Sequence, residues 1–446
     1  MTISIARRAF SRLPELHGVL IGSGFVQLGG MAFTMLLGIQ LARVLGPVNY
    51  GIYGTAMAFV SLLGAPAQAG LPVFATREAS RAVANGSRTS LKSLFFWFLP
   101  RTILIASLTA FIGLLIAAVL NKDTLLSRIA EGSASAALII ALALSAVLGA
   151  LLRGIGLNII GQAVDMVAKP AITSALILFF VLLSGKLTVA DALFLQLAAT
   201  GACVLIAVRF YFSRSKGYPE KHSVYRPGRW WGVVTAYTAH SLLAVFNGNY
   251  PILMAGLICS AADTGILRVA LSATALLALP SSIANIATLP IVARQSAEHD
   301  HTAVYKTLGH TTIAATFCTA MILLIVIIFG RSIISFLFGP AYSSAYSSVV
   351  VLGIANLFVS FFGITGSYLN MTGREQIVVK AFIVSVVVGS ISAFLLGRVY
   401  GIIGISAGAV ITNAAWHFYV FVVHRHEVQV PLFVGTAIKH VLQRRI

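Results

Sequence analysis

The sequence predicts an all-α protein that spans a membrane many times, and its composition carries that prediction. Hydrophobic residues make up 58% of the 446 residues, whereas charged residues make up only 10%. Soluble domains carry about 25% charged residues, so this chain has too few charges to cover the surface of a soluble protein. The mean hydropathy is +0.94. The bilayer is therefore the predicted solvent for most of the chain.

Long apolar runs recur with short breaks along the whole chain, and we interpret them as twelve transmembrane helices. Most are near the ~20 residues that a helix needs to cross the hydrocarbon, and none shows the alternation of a barrel strand. The fifth span is the shortest. The predicted spans are Val19–Ala42, Tyr50–Phe74, Ser93–Leu120, Ala134–Leu152, Pro170–Leu183, Ala192–Phe212, Trp231–Ile258, Thr264–Val292, Thr311–Phe329, Tyr346–Leu369, Ile377–Leu396 and Ile402–Val423.

Basic residues are distributed unevenly between the two sides of these spans. The chain has 31 Lys and Arg against 12 Asp and Glu, and most basic residues fall on the side of the N-terminus. Because basic loops stay in the cytoplasm, both termini are predicted to be cytoplasmic. The excess charge is assigned to anionic lipids and not to a nucleic acid, since no sizeable soluble segment exists to bind one.

The loop after the sixth span is basic, polar and rich in turn residues, so we interpret it as a linker between two halves. The basic tail is expected to lie on the inner leaflet as an interfacial helix, with partner binding as the alternative. The predicted organisation is an amphipathic cytoplasmic N-terminus (1–18), a first lobe of six spans (19–212), the linker (213–230), a second lobe of six spans (231–423) and the cytoplasmic tail (424–446).

The two halves resemble each other weakly. Gly51-Ile52 at the start of the second span corresponds to Gly265-Ile266 at the start of the eighth. AGLPVFATREA (Ala69–Ala79) likewise aligns with ATLPIVARQSA (Ala287–Ala297). Because each half has six spans, both halves start on the same side and the repeat is parallel. Two pseudo-symmetric lobes of six helices around a central cavity are a transporter architecture, with the substrate site expected between them.

Ionisable residues in or beside the spans are candidate site residues, because charge inside a bilayer is costly. None of the twelve acidic residues falls in the middle of a predicted span; Asp263 and Asp191 come closest, at helix starts. This disfavours a cationic substrate, which would need a carboxylate in the cavity. Five arginines either bind an anionic headgroup by forking onto phosphate oxygens or snorkel to lipid headgroups. They are Arg77, Arg101, Arg153, Arg268 and Arg294.

Two histidines and one helix are the candidates for gating or ion coupling. His240 in the seventh span and His417 in the twelfth can carry protons, although a structural histidine is the more common case. Asn249 and Pro251 lie beside Gly248 in the seventh span, where proline removes a backbone hydrogen bond. Either a hinge or a broken helix is expected there, or a merely structural kink. No metal site or cofactor is predicted, since the three cysteines lie far apart in the sequence.

The segment LARVLGPVNYGIYGTAMAF (Leu41–Phe59) resembles the start of the polysaccharide-exporter families, in which a basic residue, Leu-Gly-Pro and Tyr-Gly join the first two spans. Further similarities cover nearly the whole chain. They lie at Gly70-Leu71-Pro72 with Arg77, Asp263–Ala270, Ser335–Tyr346 and Tyr368–Arg374. The chain is thereby similar to O-antigen (Wzx-type) and exopolysaccharide flippases of the multidrug/oligosaccharidyl-lipid/polysaccharide (MOP) superfamily, whose fold is MATE-like.

This resemblance implies an undecaprenyl-diphosphate-linked oligosaccharide as substrate, moved across the bacterial inner membrane by alternating access through a cationic cavity. It implies as partners the lipid-linked oligosaccharide and anionic lipids, with a coupling ion (H⁺ or Na⁺) and the polysaccharide polymerase machinery as further candidates. Relatives often carry an Asp late in the seventh span, where Asn249 stands here, which weakens proton coupling at that position. A multidrug or cation antiporter and a lipid II flippase of the same superfamily remain alternatives. A membrane-embedded glycan polymerase or ligase is disfavoured, because it would need a substantial periplasmic loop.

Overall fold

The computed structural model describes residues 13–68, 70–84, 86, 88–120, 125–217, 231–297, 301–363, 365–371 and 374–424. All regular structure in these ranges is helical, and no strand occurs in them. The predicted all-α class is therefore confirmed, as expected for a chain whose backbone polar groups must be satisfied within a bilayer. Most of the predicted N-terminal segment, most of the linker and all but the first residue of the tail lie outside the described residues.

The helices follow one another with short connections. In chain order they are α1 (Leu13–Gln68), α2 (Leu71–Ala84), α3 (Arg88–Leu120), α4 (Leu125–Gly154), α5 (Asn158–Ala163), a π-helical turn (Val164–Ala168), α6 (Lys169–Ser184), α7 (Val189–Ser215), α8 (Trp231–Ile258), α9 (Ala261–Ala297), α10 (His301–Phe338), a 3₁₀ turn (Pro340–Tyr342), α11 (Ala345–Phe362), α12 (Thr365–Met371) and α13 (Glu375–His424).

Ten helical segments of the described chain are long and apolar enough to cross a membrane. Two of them, Gly22–Gln68 and Gln376–Val422, have 47 residues each, which at 1.5 Å per residue is about twice the ~30 Å hydrocarbon thickness. Each contains one glycine with non-helical dihedral angles, Gly46 (φ 72°, ψ 171°) and Gly401 (φ 58°, ψ −138°). These glycines lie where the sequence predicts loops between paired spans; the total of twelve stays a prediction.

The outer surface of these helices is apolar, as lipid contact requires. Leu104, Leu182 and Phe336 are 70%, 76% and 78% exposed, and many other large apolar side chains are exposed along the spans. Exposed apolar side chains in this number are rare on soluble monomers. The chain is therefore a multi-pass membrane protein.

The fifth span differs from its predicted boundaries. The sequence placed its start at Pro170, whereas the structure has one apolar helical segment from Asn158 to Ser184 that includes the π-turn. A proline in a helix has no N–H to donate to the carbonyl four residues earlier. For Pro170 that carbonyl belongs to Met166, which lies inside the π-turn, where the α-helical hydrogen-bond pattern is already changed. As a result Asp165 lies inside the fifth span, near its start, whereas the boundary predicted from the sequence leaves it outside.

Contacts divide the chain into two compact units. The first unit comprises Met1–Leu37 and Ala56–Phe246, and the second comprises Gly38–Thr55 and Asn247–Ile446. Gly38–Thr55, which we call the tip segment, surrounds the break of α1 at Gly46. The tip segment packs with the second half of the chain, although its sequence position is in the first half.

The first unit is built around a core of large apolar side chains. Phe74 of α2, Phe98 of α3, Leu148 of α4 and Tyr211 of α7 are each at most 2% exposed and belong to one cluster. The Tyr211 hydroxyl donates a hydrogen bond to the carbonyl of Leu91 at 2.9 Å, so its polar group is satisfied within the core. This core fixes α2 and the end of α4 against each other.

Polar groups fasten the tip segment to the end of α10 within the second unit. Arg43 donates from Nε to the carbonyl of Leu337 at 2.7 Å and from a terminal nitrogen to the carbonyl of Phe336. It thereby satisfies carbonyls that have no partner inside the helix. The hydroxyl of Tyr342 donates to the carbonyl of Ala42 at 2.8 Å. Burial raises the pKa of the Tyr342 hydroxyl, so this group remains a donor at physiological pH.

Two glycines bring the backbone of the tip segment against α9. A Cβ on Gly51 would lie 1.8 Å from the carbonyl oxygen of Ala261, and one on Gly265 would lie 2.1 Å from that of Pro47. Neither position holds a side chain unless the two segments separate. Gly51 and Gly265 are the glycines that occupy equivalent positions in the two halves of the sequence. The internal repeat therefore brings like positions into contact.

Replacing Gly265 with alanine is expected to lower the melting temperature, because the added Cβ has no room beside the carbonyl of Pro47. Overpacking of this kind costs about 1–3 kcal/mol. Gly248→Ala is the matched control, since nothing lies within 4 Å of the Cβ position on this helical glycine. Its melting temperature is expected to stay the same or rise slightly. Thermal unfolding in detergent measures both, and equal values for the two variants would contradict the close contact.

Candidate functional site

An aromatic pair connects two of the predicted site arginines in the first unit. The guanidinium carbon of Arg77 lies 5.1 Å from the ring centre of Phe74. The rings of Phe74 and Trp97 meet edge to face at 6.0 Å. Arg101 lies over the Trp97 ring at 4.1 Å and donates to the Trp97 carbonyl at 2.9 Å. The structure therefore brings Arg77 and Arg101 to the two members of one ring pair, where cation–π attraction holds them.

A mostly buried carboxylate, Glu78, compensates the charge of two arginines on α2. Its Oε1 accepts from Nε of Arg77 at 3.0 Å and from a terminal nitrogen of Arg81 at 2.8 Å. The Glu78 side chain is only 9% exposed, whereas those of Arg77 and Arg81 are 42% and 63% exposed. One carboxylate between two cations leaves a local excess of one positive charge.

The helix that carries Glu78 packs directly on the end of α4. Thr76 donates to the carbonyl of Ala150 at 3.1 Å, and Ser80 donates to that of Gly154 at 3.1 Å. A Cβ on Gly154 would lie 2.5 Å from the Cβ of Ala79, so only glycine allows this approach. The contact brings Arg77 and Arg153, the neighbour of Gly154, to the same end of the first unit.

A second charged cluster lies inside the fifth span. Asp165 stands in the π-turn, and its Oδ1 accepts from the Ser145 hydroxyl at 2.6 Å and pairs with Nζ of Lys169 at 3.1 Å. The side chains of Asp165 and Lys169 are 22% and 18% exposed. Both charges are therefore largely removed from solvent, where losing either partner would strand the other.

Close backbone packing between α4 and α5 positions this cluster. A Cβ on Gly149 would lie 2.7 Å from Oδ2 of Asp165 and 3.6 Å from a terminal nitrogen of Arg153, so both groups border the same glycine. A Cβ on Gly161 would lie 2.6 Å from the carbonyl oxygen of Gly149. Within the described residues Arg153 has no carboxylate at ion-pair distance, although the charge of Asp165 across Gly149 still acts on its guanidinium.

The two clusters together form a basic site at one end of the first unit, where α4 ends and α5 begins. We call it the charged end. It consists of Arg77, Arg81, Arg153 and Lys169 with Glu78 and Asp165. Four cations and two carboxylates leave a formal charge of +2. Partly buried charges are screened less than exposed ones, so this end attracts and can hold an anion.

Arg268 lies in the second unit, where its guanidinium is engaged by the tip segment. It sits over the rings of Tyr50 and Tyr53 at 5.4 Å and 5.2 Å, and it donates to the carbonyl of Gly54 at 3.1 Å. These contacts are those of a residue that fastens the tip segment to α9. A role of Arg268 in binding the headgroup stays a prediction.

The seventh span contains Asn249 and Pro251 without a break. α8 runs from Trp231 to Ile258 with Pro251 inside it, so the broken-helix alternative is not observed and a hinge stays a prediction. The side chains of His240 on α8 and Arg294 on α9 lie outside the described part of the structure. Their predicted roles therefore stay predictions.

His417 is enclosed by aromatic rings in the second unit. It is 7% exposed, and its ring centre lies 4.5 Å from that of Phe362, 4.7 Å from Trp416 and 5.6 Å from Phe358. Nδ1 is 2.8 Å from the carbonyl of Asn413 in the same helix. Such packing is typical of a structural histidine, and the proton-carrying role stays a prediction.

Sequence reasoning missed the residues that balance the charged end. Asp165 and Lys169 precede the fifth span that the sequence predicts, which starts at Pro170. Glu78 and Arg81 received no role, although their spacing of three residues allows a helical ion pair. The available signal was the apolar run from Asn158 to Ala168, which continues into the predicted span with one carboxylate.

Solved transporters share this fold. An inward-facing multidrug resistance MATE family transporter of the MOP superfamily is 15% identical, with a TM-score of 0.65 over 93% of this chain and 99% of that one. The lipid II flippase MurJ in an inward closed conformation is 13% identical, with a TM-score of 0.66 over 95% of this chain and 90% of that one. A MOP superfamily transporter from Pyrococcus furiosus is 14% identical, with a TM-score of 0.63 over 92% of this chain and 95% of that one. The predicted MATE-like fold is confirmed.

Sequence comparison identifies the family. No curated protein sequence matches the chain. The family described as polysaccharide biosynthesis protein matches residues 20–296, which is more than half of the chain. The matched region contains the tip segment, with its Leu-Gly-Pro and Tyr-Gly motifs, and every residue of the charged end. This membrane protein therefore belongs to the polysaccharide biosynthesis protein family.

Proposed function

We propose that this protein is a flippase for an undecaprenyl-diphosphate-linked oligosaccharide, the repeat unit of an O-antigen or exopolysaccharide. It would move this substrate from the cytoplasmic to the periplasmic leaflet of the bacterial inner membrane. Family membership and the transporter fold support the proposal. The observation that carries it is the charged end, where cations outnumber carboxylates within and beside the spans. The diphosphate is the anionic part of such a substrate.

The residues of the charged end divide the work of binding a diphosphate. Arg153 is the principal ligand, because among the described residues no carboxylate lies at ion-pair distance from its guanidinium, which can fork onto phosphate oxygens. Lys169 supplies a point charge beside it. Arg77 and Arg101 extend the positive surface through the Phe74–Trp97 pair. Glu78 holds Arg77 in place and reduces its net attraction for the anion.

Transport proceeds by alternating access and makes or breaks no covalent bond. With both termini in the cytoplasm, α4 ends and α5 begins on the cytoplasmic side, so the charged end faces the leaflet where the substrate is made. The lipid tail stays in the bilayer while the diphosphate and sugars cross. An inside-negative potential favours outward movement of the anionic headgroup by about 2.3 kcal/mol per charge per 100 mV. H⁺ or Na⁺ coupling adds to this force, and polymerase machinery receives the product.

A multidrug or cation antiporter is the second candidate, because MATE family transporters share the fold. Its cationic substrate would need a free carboxylate in the membrane. Asp165 is already paired with Lys169, and Glu78 with two arginines, so the charge pattern favours an anionic substrate. A lipid II flippase would present the same diphosphate to the charged end and differs in its sugars.

A deletion strain tests the proposed function. Lipid-linked oligosaccharide is expected to accumulate as the complete unit on the inner leaflet, with loss of surface polysaccharide. Loss of viability instead would favour the lipid II flippase, whose product every cell wall requires. Normal surface polysaccharide with altered susceptibility to cationic compounds would contradict the proposal and favour the antiporter.

A further inference from the structure

Asp165 places a negative charge inside a site that is proposed to bind an anion. It is not a surface residue that merely completes a helix, because it lies within the fifth span and is 22% exposed. Its carboxylate contacts Ser145 of α4 and Lys169 of α6. It also lies beside Gly149, next to which the guanidinium of Arg153 lies as well. A carboxylate in this position lowers the attraction of the site for any incoming phosphate.

We propose that Asp165 is the resident counter-anion of the diphosphate site. It occupies Lys169 while the site is empty, and the headgroup must displace it in order to bind. The consequence is a limited affinity, which lets the headgroup leave on the other side of the membrane; a binding step in transport must be favourable enough to enter and weak enough to leave. This inference rests on the proposed function and names the residue that tunes it.

The charge count of the cluster supports this role. Arg153, Lys169 and Asp165 together carry a formal charge of +1, which attracts a diphosphate without trapping it. With Asp165 neutral, two largely unscreened cations would face the headgroup. Lys169 is the cation at ion-pair distance from Asp165, at 3.1 Å, whereas Arg153 is not. Arg153 is thus available for the first contact, and Lys169 is available only after Asp165 is displaced.

The local backbone suits a carboxylate that must move. Asp165 lies in a π-turn, Val164–Ala168, where the regular hydrogen-bond pattern of the α-helix is already interrupted, and such turns recur at functional sites. Pro170 offers no N–H to the carbonyl of Met166. A Cβ on Gly30 of α1 would lie 2.7 Å from that same carbonyl oxygen, so α1 packs closely on the backbone of this turn. Displacement of the carboxylate is therefore expected as a rotation of the Asp165 side chain, with the backbone of the turn held in place.

Binding of radiolabelled farnesyl diphosphate to the purified full chain tests this inference. Asp165→Asn keeps the shape of the side chain and removes the charge. Its Kd for the probe is expected to fall roughly tenfold, which corresponds to about 1.4 kcal/mol. The maximal rate of oligosaccharide transport is expected to fall at the same time, because release becomes slower. A merely structural role would weaken binding and would not produce tighter binding with slower turnover.

Two controls isolate the charge of Asp165. Asp191→Asn makes the same substitution in the same unit, in the capping box that Asp191 forms with Thr188 at the start of α7, and is expected to leave Kd unchanged. Asp165→Glu keeps the carboxylate. Its Kd is expected to lie within about twofold of the wild-type value, because the charge that competes with the headgroup is retained.

The outcomes separate this inference from the proposed function. A folded Asp165→Asn protein with unchanged or weaker affinity would overturn the inference, while the wild-type protein still binds the probe. If that variant does not fold, Asp165→Asn with Lys169→Gln removes both partners and keeps the net charge. Its Kd is expected within about threefold of wild type, and loss of binding would overturn the inference. Failure of the wild-type protein to bind the probe would overturn the proposed function as well.

Discussion

Arg153→Glu is expected to reduce transport of the lipid-linked oligosaccharide at least about 30-fold, since a lost contact to a buried charge costs about 2–5 kcal/mol. Arg153 borders Asp165 at Gly149 but has no carboxylate at ion-pair distance in the described residues. Reversal of its charge takes the charged end from +2 to zero and sets a carboxylate against the incoming phosphate. Surface polysaccharide in the complemented deletion strain and flipping by the purified variant measure the effect.

Arg398→Glu is the matched control for charge reversal. Arg398 is an exposed arginine on α13 in the second unit, with its guanidinium 4.8 Å from the ring centre of Phe394. The substitution changes the net charge of the chain by the same amount, and transport is expected to stay within about twofold of wild type, since exposed charges contribute little. Equal loss of transport in both variants would contradict a specific role for Arg153.

A disulfide between positions 55 and 256 is expected to abolish transport reversibly. A Cβ on Gly256 would lie 3.6 Å from the Cβ of Thr55, within the roughly 3.5–4.5 Å found in disulfides. Oxidation is therefore expected to cross-link Thr55→Cys with Gly256→Cys in a chain whose three native cysteines are replaced by alanine. Thr55 belongs to the first predicted lobe (19–212) and Gly256 to the second (231–423), so the cross-link joins the two lobes. The proposed alternating access requires the lobes to separate at this contact.

Reduction of the cross-linked protein with dithiothreitol is expected to restore transport. The two single-cysteine variants, treated with the same oxidant, show whether oxidation itself has an effect. A fully cross-linked protein that transports at the wild-type rate would contradict movement of the tip segment during the cycle.

Helices, membrane placement and family could be predicted from this sequence, because long apolar runs leave a chain few alternatives in a bilayer. The glycines of the repeat were also visible, as Gly51 and Gly265 at equivalent positions. Their contact with each other was not predictable. It exists because α1 breaks at Gly46 and the tip segment packs with the second half of the chain.

The charged end was predictable only in part. Of its residues, Arg77 and Arg153 are predicted from the sequence, because intramembrane charge is costly. Asp165 and Lys169 were missed for a physical reason: proline usually marks a helix start, and Pro170 instead follows a π-turn that keeps the helix continuous. The contacts of Arg268 with Tyr50 and Tyr53 were not predictable, because these residues are more than 200 positions away in the sequence.

Flipping in proteoliposomes tests the central claim most directly. The purified chain is reconstituted with a fluorescent undecaprenyl-diphosphate-linked oligosaccharide, and loss of fluorescence to a membrane-impermeant quencher reports its transfer between leaflets. We predict transfer that depends on the wild-type protein, fails with Arg153→Glu and persists with Arg398→Glu. Absence of transfer by the wild-type protein, together with uptake of a cationic dye by the same vesicles, would contradict the account.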